Sequence, residues 1–220
     1  MNSRTFVRAR RPEQKQQRRE AILAAARDLA LRDGVRNVTL GSVAAAVGLA
    51  KSNVVRYFGT REEIFLVLAV EEMRAWAEAL TERLRAAAKP AEMTDALVET
   101  IVTRPLLCDL AGNISTSLEH NVSVPAARAF KTTSVELVAE LGARFAEAYR
   151  ELTPGEGREL IGGVIGYAGV LYPSEHPPPT LAALYEQEPE VAARCVMPFE
   201  PTLRRLVNVL VAGLIATRDG

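Results

Sequence analysis

Residues 39–58, TLGSVAAAVGLAKSNVVRYF, constrain the fold more tightly than any other stretch. Leu40, Val43, Ala44 and Val47 recur at i, i+3, i+4 and i+7, the apolar face of a short helix. Thr39 precedes that face, where its hydroxyl can accept a backbone N–H of the first turn. Gly48 follows it, where the left-handed conformation that ends a helix costs least. Leu49 and Ala50 then lead into a second short helix, Lys51–Phe58. On a helical wheel, Val54, Val55 and Phe58 group together, while Ser52, Asn53, Arg56 and Tyr57 share the opposite arc with Lys51 at its margin. An arc of this kind suits a groove of double-stranded DNA. Arg and Asn read base edges through paired hydrogen bonds, and Lys, Ser and Tyr are good phosphate partners. Two short packed helices with a solvated face are the plainer reading of the same pattern.

The charge distribution favours the DNA reading. The chain has no net charge, with 27 basic and 27 acidic residues. Residues 1–61 nevertheless hold 13 Lys and Arg against 4 Asp and Glu, and residues 62–220 hold 14 against 23. A basic module of +9 is joined to an acidic module of −9, and the basic one carries the two short helices. The acidic module should repel DNA and leave one face competent to bind.

Thr60-Arg61-Glu62-Glu63 forms a capping box at the head of a long helix, directly after Phe58-Gly59. With that addition the run resembles the DNA-binding domain of the TetR (tetracycline repressor) family. The resemblance is carried by Thr39, Val43, Ala44, Gly48, Leu49, Ala50, Val54, Val55, Tyr57, Phe58, Arg61, Glu62 and Ile64, within about residues 18–70. It implies that Thr39, Lys51, Ser52, Asn53, Val55, Arg56, Tyr57 and Arg61 face DNA, with Arg61 at a phosphate. Two positions depart from the family pattern. Ala50 replaces the Ser that caps the recognition helix, and Val55 replaces a phosphate-contacting Tyr, a contact that passes to Arg56 one step on.

The remaining chain is rich in Ala and Leu, with 5% aromatic residues and no alternating β-branched run. An all-α protein is expected, with three parts: a basic arm at 1–12, a helix–turn–helix domain at 13–60 and a helical regulatory and dimerisation domain at 61–220. The arm carries Arg4, Arg8, Arg10 and Arg11 before Pro12. It reads either as a mobile tail or as a segment tracking the phosphate backbone. Helices are predicted over 13–33, 61–89, 92–103, 105–118, 125–150, 155–171 and 201–217, with two short ones near 180–187 and 189–196 in the proline-rich connection 172–200. That connection reads as a pocket cover, an extension of a dimer contact or a surface excursion.

Apolar faces with interspersed polar groups suggest a small-molecule pocket in the acidic module. Its candidate lining is Trp76, Leu107, Leu110, Asn113, Ile114 and Phe145. In the family, two late helices of each chain form a four-helix dimer interface. The small residues Gly162 and Gly166 and the stripe of Leu206, Leu210 and Leu214 are the matching candidates.

These features lead to a cytoplasmic homodimeric transcriptional regulator, in its commoner form a repressor. It would leave an inverted-repeat operator when a small-molecule effector, of unknown identity, binds. The alternative is a DNA-binding regulator without such an effector, controlled by a protein partner. Enzymatic activity is not expected, because His120 and His176 stand in no catalytic motif. No cofactor is expected. Cys108 and Cys195 are isolated from each other and from histidines, so no metal site is expected and both thiols should be reduced. No signal peptide is read, and the apolar run near 209–216 is too short to span a bilayer, so no membrane contact is expected.

Overall fold

The structure, a computed structural model, describes residues 3–217, and for residues 3–11 only the backbone. Among the described residues there are helices and no strand. The first helix, α1 (Ser3–Asp33), starts ten residues earlier than the sequence predicts and runs through Pro12. The side chains of Arg4, Arg8, Arg10 and Arg11, on which the arm reading depends, lie outside the described residues. Proline in a helix removes one N–H but leaves the rest of the ladder available, so it did not end the helix here.

A 3-10 turn at Val35–Asn37 follows, then α2 (Leu40–Ala46) and α3 (Lys51–Val55). Thr39 caps α2 by accepting from Ser42 N–H at 3.0 Å, and the Ser42 hydroxyl answers by accepting from Thr39 N–H. Gly48 has φ of 64°. Leu49 N–H bonds the Ala44 carbonyl and Gly48 N–H the Ala45 carbonyl, the paired closure that a left-handed residue permits.

The next helix, α4 (Arg61–Ala86), is about 39 Å long at the usual rise per residue. It enters two apolar cores. Ile64, Phe65, Leu66, Leu68 and Ala69 join a core with Ile22, Ala26, Val43, Val54 and Phe58. Met73, Trp76, Leu80 and Leu84 join a second core with the later helices. The first core does not stop at residue 60: Leu106, Leu110, Leu118 and Phe130 pack into it as well.

The second unit contains α5 (Pro90–Val102), α6 (Pro105–Asn113), α7 (Val124–Ala148), α8 (Pro154–Glu175) and α11 (Phe199–Ala216). The expected helix over 105–118 is present as α6 followed by a π turn at Ile114–Leu118. Helix α8 packs against α6, α7 and α11. Two glycine pairs set those crossings. A Cβ on Gly112 would sit 2.5 Å from the Gly169 carbonyl oxygen, and one on Gly157 would sit 2.2 Å from that of Gly142. Gly169 therefore serves contact within the chain. Gly162 and Gly166 point away from it, with nothing within 4 Å of a Cβ built on either.

Helix α8 continues past Leu171 through Pro173. Beyond it, α9 (Pro179–Gln187) and α10 (Pro189–Cys195) form a hairpin that packs chiefly on itself and buries no residue. No helix among the described residues is long and apolar enough to cross a membrane.

Candidate nucleic-acid interface and the junction behind it

Helix α3 is anchored by Val54, fully buried, and by Phe58 just beyond its end, 3% exposed. Lys51, Ser52, Asn53 and Arg56 are all exposed, and their side chains have no ion-pair or hydrogen-bond partner among the described residues. They stand as one polar row on the outer side of the second helix. Ala50 occupies the N-cap in extended backbone and supplies no side-chain hydrogen bond, as its methyl group dictates.

Three of the eight predicted contact residues sit differently from the wheel reading or from the family pattern. Val55 is 44% exposed rather than part of the buried group. Tyr57 is half-buried and lines a cleft behind the helix. Regular α-helix ends at Val55, and Tyr57 N–H bonds the Val54 carbonyl three residues back at 2.9 Å. The tighter winding turns Tyr57 away from the arc that a continuous wheel assigns it. Arg61 faces inward. Its guanidinium donates to the Val38 and Val35 carbonyls and pairs with Glu62 at 3.0 Å. It ties the head of α4 to the segment before α2, so its donors are not directed at a phosphate. Thr39 remains at the surface with its hydroxyl engaged in the α2 cap.

Glu63 has a larger role than a capping residue. One carboxylate oxygen accepts from Gly59 N–H at 2.9 Å, and the other accepts from Ser123 N–H at 3.0 Å and Ser123 hydroxyl at 2.7 Å. Burial pushes against its ionisation, but these donors outweigh it and hold the carboxyl below its ordinary range. One carboxylate thereby joins the turn after the second short helix to the start of α7.

A second junction lies at the end of α1. Gly34, with φ of 82°, turns the chain so that Val35 N–H donates to Asp109 Oδ2 at 2.7 Å. Arg36 Nε donates to Asn113 Oδ1 at 2.8 Å, and Asn113 Nδ2 donates back to Asp109 Oδ1 at 3.0 Å. Burial raises the Asp109 carboxyl, with the Val35 bond, Arg36, His176 and Asn113 opposing that shift. A cavity of about 520 Å³ opens beside these groups, walled also by Tyr172, His176 and Pro177. Sequence reasoning singled out Asn113 as a polar group on an apolar face but missed Asp109. The signal was available: Asp109 and Asn113 are four apart on a helix whose neighbours Leu106, Leu107 and Leu110 are apolar.

The six residues predicted to line a pocket do not share one. Leu107, Leu110 and Phe145 are close-packed core, and Ile114 packs beside the first core. Trp76 is buried with its indole N–H on the Thr100 hydroxyl at 3.0 Å. The void beside it has no room for a water-sized molecule. Asn113 lines the junction cavity instead. The periodicity identified five buried side chains and one half-buried one, Ile114, but could not distinguish filled space from empty space.

Of the predicted dimer residues, Leu206, Leu210 and Leu214 are half-buried against the second core. Gly162 and Gly166 are exposed on α8, where Val170 is 72% exposed, and Val209 of α11 is 60% exposed. Val170 and Val209, which the sequence reading did not single out, continue the spacing of the residues that it named. No group of His, Cys, Asp and Glu among the described residues could hold a metal ion.

Comparison with known proteins settles the lineage. Residues 70–218 match the tetracyclin repressor-like C-terminal domain, and residues 22–68 match the bacterial regulatory proteins of the tetR family. The chain belongs to the TetR family. It is a DNA-binding transcriptional regulator with an N-terminal helix–turn–helix and a C-terminal helical domain. Similar solved structures include the fatty acid degradation regulator FadR from Bacillus halodurans, 16% identical over 91% of this chain and 96% of that one, with a TM-score of 0.51. The multidrug binding protein EbrR, solved with imidazole, is 19% identical over 88% and 94%, with a TM-score of 0.52. FadR from Bacillus subtilis, solved with stearoyl-CoA, is 14% identical over 90% and 97%, with a TM-score of 0.50. At these identities the likeness establishes the fold alone. No curated protein sequence matches the chain.

Proposed function

We propose that this TetR-family chain is a homodimeric repressor that releases a near-palindromic operator when a small molecule binds its helical domain. The observation that carries the reading is the row of Lys51, Ser52, Asn53 and Arg56, exposed and without a side-chain partner among the described residues, on a helix whose other side is locked by Val54 and Phe58. Arg56 and Asn53 have the chemistry for base edges, and Lys51 and Ser52 that for phosphates. The second copy packs on the face of α8 and α11 that holds Gly162, Gly166, Val170 and Val209. Bare glycine positions beside exposed valines let two helix pairs approach closely. Two readers then meet successive major-groove faces about one helical turn apart.

Ligand response is supported by the two polar bridges between the units, through Glu63 and through Asp109 with Asn113. A ligand that favours one arrangement of these bridges changes the separation of the readers and lowers DNA affinity by its differential affinity for the two states. The ligands held by EbrR and by the Bacillus subtilis FadR are consistent with a small-molecule effector here. The test is equilibrium binding of the full chain to its selected DNA site at fixed salt. Arg56→Ala should weaken specific binding by about 1–3 kcal/mol and leave the dimer intact. An unchanged affinity would remove α3 from the groove.

A further inference from the structure

The cleft behind α3 is lined by two arginines and two glutamates that differ in how they are partnered. It encloses about 470 Å³, within the range of about 300–1,000 Å³ usual for small-molecule sites. Leu66, Val67, Val70, Ala129 and Phe130 give it an apolar floor, and Tyr57 and Phe58 close the side next to the DNA reader. Four charged residues stand around it: Arg19, Glu63, Glu71 and Arg74. Both acids are already engaged. Glu63 accepts from Gly59 and Ser123, and Glu71 pairs with Arg27 at 2.9 Å. Neither arginine has an anionic partner among the described residues. Arg19 lies with its guanidinium carbon 4.6 Å from the centre of the Phe58 ring, and Arg74 is exposed; neither makes an ion pair or side-chain hydrogen bond among the described residues. Two guanidinium groups without an ion-pair partner among the described residues, set over an apolar floor, suit a molecule with an anionic head and a hydrocarbon body.

The junction cavity beside Asp109 offers no such preference. Arg32 is paired with Asp33, Arg36 donates to Asn113, and Asp109 accepts from Val35 N–H and Asn113, so both of its arginines are already hydrogen-bonded.

We infer that the cleft between Tyr57–Phe58, α4 and α7 is the effector site, and that its ligand is an amphipathic organic anion such as a medium-chain carboxylate. This rests on the regulator reading above for its consequence, not for its chemistry. A ligand seated there touches α1, the end of the reading helix, α4 and α7 at once. It also lies beside the Glu63 bridge from Gly59 to Ser123. Occupancy therefore acts on the joint between reader and regulatory unit.

The experiment is calorimetric titration of the full chain with decanoate and with decanol, both below their aggregation limits, without DNA present. Saturable decanoate binding at least tenfold tighter than decanol is expected. Arg19→Gln with Arg74→Gln should remove that preference while decanol binding stays within twofold, and circular dichroism should show both proteins folded. Equal binding of the two probes, no binding of either, or a preference indifferent to the double substitution overturns the inference. The same decanoate concentration should weaken binding to the selected DNA site at least fivefold; unchanged DNA affinity with the cleft occupied overturns the effector role. A chain that binds decanoate as expected but selects no DNA site contradicts the regulator reading instead, so the two failures are distinguishable.

Discussion

Arg36 donates to Asn113 across the boundary between the DNA-reading unit and the helical domain, Nε to Oδ1 at 2.8 Å. Asn113 is 4% exposed and spends its amide on Asp109. Replacing it with leucine leaves Arg36 and Asp109 each short of a partner at a half-buried junction. Asn113→Leu should lose about 1–3 kcal/mol of stability in a denaturant titration. A loss below about 0.5 kcal/mol would mean that water takes over both groups and that the bridge is not a mechanical link.

Asp109 makes stability depend on pH in an unusual direction for a carboxylate. Its folded pKa is raised by burial above that of the unfolded chain. Its folded state therefore holds a proton that the unfolded chain has released. This contribution is fully present below the unfolded pKa, near 4, and is lost as pH rises through the folded value. Asp109→Asn should flatten that segment of a thermal-midpoint profile measured upward from about pH 4. A profile of unchanged shape would contradict the assignment.

The two cysteines should differ in reactivity. Cys108 is fully buried, with burial first and Asp109 second pushing its thiol up to about 12. Only roughly one part in 10⁴ is thiolate at pH 8. Cys195 is exposed. Maleimide should label one thiol per chain in the folded state, at Cys195 by mass spectrometry, and the second only in denaturant. Rapid labelling of Cys108 would mean that α6 opens readily.

The Gly112–Gly169 contact leaves no room for a methyl group. Gly112→Ala should cost about 1–3 kcal/mol by overpacking α6 against α8. Gly41→Ala, in α2 where a Cβ would meet its nearest neighbour, the Thr39 hydroxyl, at 3.6 Å, should instead gain up to about 1 kcal/mol of helix propensity. Equal effects in thermal unfolding would show that the crossing yields more than its geometry suggests.

Most of the fold was legible in the sequence because capping residues, apolar periodicity and proline positions act locally. Thr39, Gly48 and Thr60 mark boundaries that the structure keeps. The reading failed where distant parts meet. Arg61 is conventional as a surface cation until the Val35 and Val38 carbonyls are placed beside it. Tyr57 needed the shortness of α3 to be known. The cleft needed the positions of α1 and α7, because Arg19 and Phe130 are far apart in sequence and share no pattern. A helix wheel sets Trp76 and Arg74 about 200° apart on α4, but does not tell that one fills a core and the other lines empty space.

The most direct test of the account is selection of genomic DNA fragments by the purified chain at near-physiological salt, with Arg56→Ala run in parallel. The account predicts that the native chain recovers an inverted repeat whose half-sites lie about one helical turn apart, and that Arg56→Ala recovers none. Recovery of the same repeat by both proteins, or of sequence-blind fragments lost as salt rises, would contradict a dimer that reads DNA through Lys51, Ser52, Asn53 and Arg56.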